Sequence, residues 1–165
     1  MPADAADRTE LRQALDALTQ RFAGSPLSGA IEDGELVLRP PRGLLGSVLR
    51  FCRDDLGFNA LEDLIVFDNL GAPVAGGARF TVVYRLCRIP GAARARLAVD
   101  AGEGESLPSA VPVYPSADWP EREAFDMFGV RFDGHPVLRR IYLTDDFDGH
   151  PLRKDFPLAG RDGGV

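Results

Sequence analysis

The hydrophobic pattern of this 165-residue chain switches repeatedly between two periods. Leu11, Leu15, Leu18 and Phe22 recur at the spacing of one helix face, Asp7 and Glu10 form a capping-box-like start, and Gly24 supplies a stop. The run ELVLR, Glu35 to Arg39, reads as a strand, with Asp33-Gly34 as the turn before it and Pro40-Pro41 closing it. Leu44, Leu45, Val48, Leu49 and Cys52 then mark one face of a second helix that ends near Gly57. Residues 61–67, 79–86 and 94–99 are short β-rich runs separated by Gly, Pro and Asn, and they predict three more strands. Two helices against four strands imply an α+β core in residues 1–100: a small, mostly antiparallel sheet with helices packed on one face.

Past residue 100 the pattern breaks. Pro108, Pro112, Pro115 and Pro120 prevent a long regular element until the segment WPEREAFDMFG, which predicts a helix. Asp118 is the expected N-cap with Glu121 three residues on, Ser116 is the other choice, and Gly129 is the residue that ends the helix. At 100° per residue Ala124, Phe125, Met127 and Phe128 share an arc, and Arg122, Glu123 and Asp126 lie opposite. Glu121 falls within the apolar arc. A carboxylate aimed inward needs a cation and hydrogen bonds, so Glu121 is expected to pair with one of Arg139, Arg140, Arg153 or Lys154; exposure in the first turn is the alternative. Residues 101–131 thus form a connection plus helix. Residues 132–165 form an extended tail with a strand-like piece at 140–143, and the tail carries ten apolar side chains from Phe132 to Leu158 for which an outside partner is expected.

Composition narrows the function. A net charge of −6 argues against a phosphate-neutralising surface for nucleic acid. No apolar run approaches a membrane span, and MPADAADRTE is too polar and acidic for a signal peptide, which places the protein in the cytoplasm, with docking on a membrane complex allowed. Cys52 and Cys87 are isolated, and neither dinucleotide nor phosphate-loop glycines occur, so no cofactor is expected in this chain.

The pentapeptide FDGHP occurs twice, at Phe132 to Pro136 and Phe147 to Pro151, and contains both histidines. A metal site, and with it a small metal-dependent hydrolase, would use His135 and His150 with the neighbouring aspartates. Each His precedes a Pro and is therefore extended, however, and Asp-Gly is a turn dipeptide, so paired turns that present apolar residues and the cations Arg139, Arg140, Arg153 and Lys154 are the stronger reading. No serine sits in a nucleophile elbow and no cysteine lies near a histidine in sequence.

The stretch YPSADWPEREAFDMFGVRFDGHPVLRRIYLTDDFDGHPLRKDFPL, Tyr114 to Leu158, resembles the signature of the 30 kDa subunit of the respiratory NADH:quinone oxidoreductase, complex I. The resemblance implies a non-catalytic subunit of the hydrophilic arm, peripheral to the cytoplasmic face of the inner membrane, packed on the large 49 kDa-type subunit and other subunits of that arm. FMN, iron–sulfur clusters and quinone would then reside in partner subunits. Within the match, Glu121, Arg122, Glu123 and Asp126 of the helix are the expected structural or partner-binding residues. So are His135, Arg139 and Arg140 of the first turn, and His150, Arg153, Lys154 and Asp155 of the second. A similar subunit occurs in membrane-bound hydrogenase and formate hydrogenlyase complexes, sometimes fused to the large one. The sequence runs only seven residues past Leu158, which favours the quinone oxidoreductase.

Overall fold

A computed structural model describes residues 5–73 and 77–157; the expected cap at Asp7 and the contribution of Leu158 lie outside the described side chains. Helix α1 (Ala5–Arg21) buries Leu11, Ala14 and Leu18. It is followed by β1 (Ser28–Glu32) and β2 (Glu35–Arg39), a hairpin whose two-residue turn has positive φ at both Asp33 (50°) and Gly34 (80°). Such a turn matches the natural strand twist, which is why Asp-Gly works here. The Asp-Gly turn is where the sequence puts it, but β1 escapes the pattern because SGAIE has too little β-branched or aromatic character to show as a strand.

Helix α2 (Leu45–Asp54) presents Leu45, Val48, Leu49 and Cys52 inward, as their spacing requires. The sheet is completed by β3 (Ala60–Asp68), β4 (Phe80–Cys87) and β5 (Arg94–Ala101), in the order β1-β2-β5-β4-β3. All neighbours are antiparallel except β2 and β5, which pair in parallel with Leu36 opposite Ala95 and Leu38 opposite Leu97. Strict alternation along β4 and β5 sends Phe80, Val82, Tyr84, Leu86, Ala95, Leu97 and Val99 into the core. The opposite face is an open concavity lined by Val37, Ile65, Val83 and Ala98 with Glu35, Arg85 and Arg96. The α+β arrangement is the one the sequence predicts.

Residue 100 is not a packing boundary. Leu107, Ala110, Val113, Tyr114, Ala117, Ala124, Val130 and Phe132 belong to the same buried cluster as the sheet. Tyr114 makes the continuity concrete, since its hydroxyl donates to the carbonyl of Phe58 at 2.7 Å from inside the core. Two strands too short to register in the sequence, β6 (Ser106–Pro108) and β7 (Arg131–Asp133), pair in parallel and bracket α3 (Asp118–Phe128). The strand-like piece expected at 140–143 is instead a series of bends.

We expect a protein truncated after Ala101 to lose cooperative urea unfolding, because the sheet would keep its apolar face and lose the residues that cover it. Tyr114→Phe should unfold cooperatively with a loss of about 1 kcal/mol, the usual worth of one buried hydrogen bond. Cooperative unfolding of the truncated form at full-length stability would contradict this.

Candidate functional site: a helix held at both ends by the C-terminal strap

The signature residues converge on α3. Its carboxyl end has the usual orphan carbonyls, and residues 135–157, the strap, return to satisfy them. His150 Nδ1 meets the carbonyl of Asp126 at 2.9 Å, the Leu152 N–H donates to Met127 O at 3.2 Å, and Arg153 Nε donates to Phe128 O at 2.5 Å. A carbonyl can only accept, so His150 holds its proton on Nδ1. Burial, reinforced by repulsion from Arg153 and Arg140 and opposed by the Asp126 carbonyl, pushes the His150 pKa down and keeps the ring neutral. Gly129 ends the helix at φ 77°; a Cβ there would lie 2.5 Å from the Arg153 guanidinium and 2.7 Å from His150, so the strap requires glycine for space as well as conformation.

Asp126 is the centre of the arrangement. The helical wheel assigns it to a solvent face, but it is fully buried beneath the strap. Its Oδ2 accepts the backbone N–H groups of Ile141 (2.9 Å), Tyr142 (2.8 Å) and Leu143 (3.1 Å), and Oδ1 accepts from Arg140 at 3.0 Å. Burial works to raise its pKa, yet these donors more than offset it and hold the carboxyl below its ordinary value. Arg140 also donates to the carbonyls of Phe147 and Gly149, so one ion pair ties the second FDGHP turn to the helix.

Glu121 is buried as the apolar arc requires, but among the described residues no arginine or lysine meets it. Ser109 Oγ–H donates to Oε2 at 2.7 Å and the Ala110 N–H to Oε1 at 2.5 Å, with His135 Nε2 4.0 Å away. The arginine partner expected for Glu121 is therefore corrected: Arg140 serves Asp126, and Arg153 serves Phe128 and Glu103. Burial, opposed by those two hydrogen bonds and aided by Asp118, raises the Glu121 pKa to about 7. The helix start differs as well. Asp118 is the first helical residue, following a 3-10 turn at Pro115–Ala117, and Ala117 occupies the cap position without a side-chain bond.

His135 guards this amino end. The Val137 N–H donates to its Nδ1 at 3.1 Å, leaving Nε2–H to face the carbonyl of Asp118 at 3.2 Å. The two FDGHP turns thus sit at opposite ends of one helix. Asp118 and Asp126 are eight residues apart, about 12 Å along an α-helix. His135 and His150 do not converge, and among the described residues no three His, Cys, Asp or Glu side chains could hold a metal ion. This overturns the shared site that a hydrolase using both histidines needs.

The remaining expected residues divide between strap and surface. Arg122 lies over the Trp119 ring at 5.1 Å and donates to Arg139 O; the side chains of Arg139 and Glu123 are exposed. Asp155 is bound by Arg79 at 2.9 and 3.1 Å, and the Lys154 N–H donates to Asp68 at 2.8 Å while its ammonium reaches Leu70 O. Arg79 also holds Asp68 through two bonds of 2.8 and 2.9 Å; burial opposes and Arg79 leads the groups that lower the Asp68 pKa to about 2. Sequence reasoning misses Asp68, Arg79, Glu103 and Ser109, which have no short-range motif and meet the strap only through the fold. The apolar tail residues are partly accounted for internally: Phe132 is buried, Leu138 packs on the core and Phe147 stacks with Phe156 at 6.0 Å.

The α+β fold, a mostly antiparallel sheet with its helices, is one that solved structures share. One is the trypsin-resistant fragment (1–134) of Nqo5, with a TM-score of 0.66, 31% identity, and coverage of 78% of this chain and 99% of that one. Another lies in the membrane-bound sulfane sulfur reductase, an archaeal respiratory membrane complex, with a TM-score of 0.70 and coverage of 88% and 86%; at 22% identity it attests the fold alone. Residues 39–162 match the family described as respiratory-chain NADH dehydrogenase, 30 Kd subunit, and the chain belongs to that family. Relatives include the C subunit of an NADH-quinone oxidoreductase from Citrifermentans bemidjiense, 44% identical over 93% of each sequence. The corresponding subunit from Phenylobacterium zucineum is 49% identical over 77% of this chain and 59% of its own length.

Two outcomes follow from the buried carboxylates. Glu121 has a folded pKa of about 7, above its ordinary 4.5, so its contribution favours folding fully below pH 4.5 and is lost as pH rises through 7, at a cost of about 3 kcal/mol. Urea midpoints of the wild type should fall between pH 5 and 8, and Glu121→Gln should flatten that slope; an unchanged slope would refute a lone buried carboxylate. Asp126→Asn should free the strap, leaving Arg140 unmatched at a cost of about 3–5 kcal/mol. Hydrogen exchange should then accelerate at residues 141–143 while β4 stays protected.

Proposed function

We propose that this chain is a non-catalytic subunit of the hydrophilic arm of a proton-translocating NADH:quinone oxidoreductase. It works at the cytoplasmic face of the membrane, and its strap and helix α3 brace the large 49 kDa-type subunit. FMN, iron–sulfur clusters and quinone belong to partner subunits in this reading. Support comes from the family match and from the presence of no helix among the described residues that is long and apolar enough to cross a membrane.

One observation carries the bracing role. Glu121, Asp126, Arg140, His150 and Arg153 of the signature are used inward, to hold the helix and strap, while large apolar side chains of the same region face outward: Val137 is 52% exposed, Tyr142 63% and Leu152 53%. An element held in place by hydrogen bonds and ion pairs, with its apolar groups uncovered, has the composition of a preformed interface. Arg153 and Asp155 serve this indirectly, by fixing the strap to Phe128, Glu103 and Arg79. Arg153 also stacks over Phe80 at 5.2 Å.

Removing residues 135–165 should leave a folded body, as the trypsin resistance of the 1–134 fragment of Nqo5 suggests for that relative. It should also abolish incorporation into the complex. Native gels and NADH-to-quinone turnover report the outcome: turnover should fall in step with assembled complex. Normal assembly of the shortened protein would refute the bracing role, and assembled but inactive complexes would assign the strap a part in the reaction. Copurifying redox subunits separate this reading from a hydrogenase-type complex.

A further inference from the structure

The geometry points to a specific anchor within the docking face: Trp119, flanked by Arg122 and Arg139, inserts into an apolar pocket rimmed by carboxylates on a partner subunit. Trp119 is the chain's single tryptophan and is 59% exposed, although it sits in the first turn of a helix whose other bulky residues are half-buried or buried. It is not loose. Arg122 lies over its ring, and Arg122 is itself tied to the strap through the carbonyl of Arg139. The first FDGHP turn is fixed at the same helix end by His135, which places the exposed Val137 on that side too. An indole and the guanidinium stacked on it, already ordered in the free protein, lose little freedom on binding, and Trp and Arg are among the residues most enriched at interface centres.

Charge selects the partner's chemistry. Arg42, Arg53, Arg79, Arg88, Arg140 and Arg153 each face a carboxylate within this chain. Arg122 and Arg139 form no ion pair among the described residues, as is also true of other surface arginines such as Arg12, Arg39 and Arg131; what sets Arg122 apart is its place over an exposed indole. Guanidiniums left unpaired around an exposed aromatic suit a surface that supplies both apolar contact and carboxylates. A second copy of this acidic protein offers no such surface at the patch itself, where like charges would meet.

This inference rests on the bracing role above, and its test separates the two. In complex purified from the native host, Trp119→Ala and the double variant Arg122→Gln, Arg139→Gln should each lower the amount of this protein retained per complex by roughly tenfold or more, as loss of an interface hot spot does. Isolated variants should melt close to the wild-type temperature, since Trp119 and Arg139 are exposed and Arg122 gives up only one hydrogen bond at the surface. A benzophenone crosslinker introduced at position 119 should capture another subunit through a peptide rich in Asp and Glu. Wild-type retention of both variants, with retention still lost on strap deletion, would overturn the anchor and leave the bracing role standing. Capture of a second copy of this protein would also overturn it. Capture of a subunit other than the 49 kDa type, with both variants lost from the complex, would uphold the anchor and remove the partner named for the bracing role.

Discussion

The Asp126 carboxylate governs the second half of this protein. It collects three consecutive backbone N–H groups and one guanidinium inside a fully buried site. Such a group is expensive to bury alone and stable only when every lone pair is met, so the strap has one arrangement that satisfies it. From that point the rest follows: Arg140 reaches on to Phe147 and Gly149, which brings His150, Leu152 and Arg153 onto the last carbonyls of α3. Each interaction depends on the helix ending at Gly129, where any side chain would displace the strap.

The strap is fastened at its far end by charge. Arg79, at the entrance of β4, holds Asp68 from β3 and Asp155 from the strap with one guanidinium, and Glu103 approaches it at 3.4 Å. Polar fastening has a consequence for function. A strap held by apolar burial would have consumed its Val, Tyr and Leu side chains, whereas one held by hydrogen bonds leaves them facing outward. The repeated FDGHP segments belong to the same design: each supplies a turn and a histidine that binds a helix carbonyl, one at either end of α3.

What the sequence determined by itself were the features that depend on short-range periodicity. Helical spacing placed Leu11, Leu18, Val48, Leu49 and Cys52 in the core, β-rich composition marked β3, β4 and β5, and Gly129 marked the helix end. The turn reading of Asp-Gly and His-Pro likewise depends on local backbone preference. Strands of three residues, and SGAIE with its small side chains, fall below what such patterns can show; their pairing is decided by neighbours distant in sequence.

Tertiary structure alone decided which charges met. Glu121 and Asp126 lie five residues apart on one helix, and the wheel ranks the first as buried and the second as exposed. Both are buried, because the strap covers the face that the wheel leaves to solvent. Glu121 then met a hydroxyl and an amide instead of a cation, and Asp126 took the arginine. A helical projection knows the angle of a side chain but not what the backbone lays over it 14 to 17 residues later, and the pairing of buried charges depends on that covering layer.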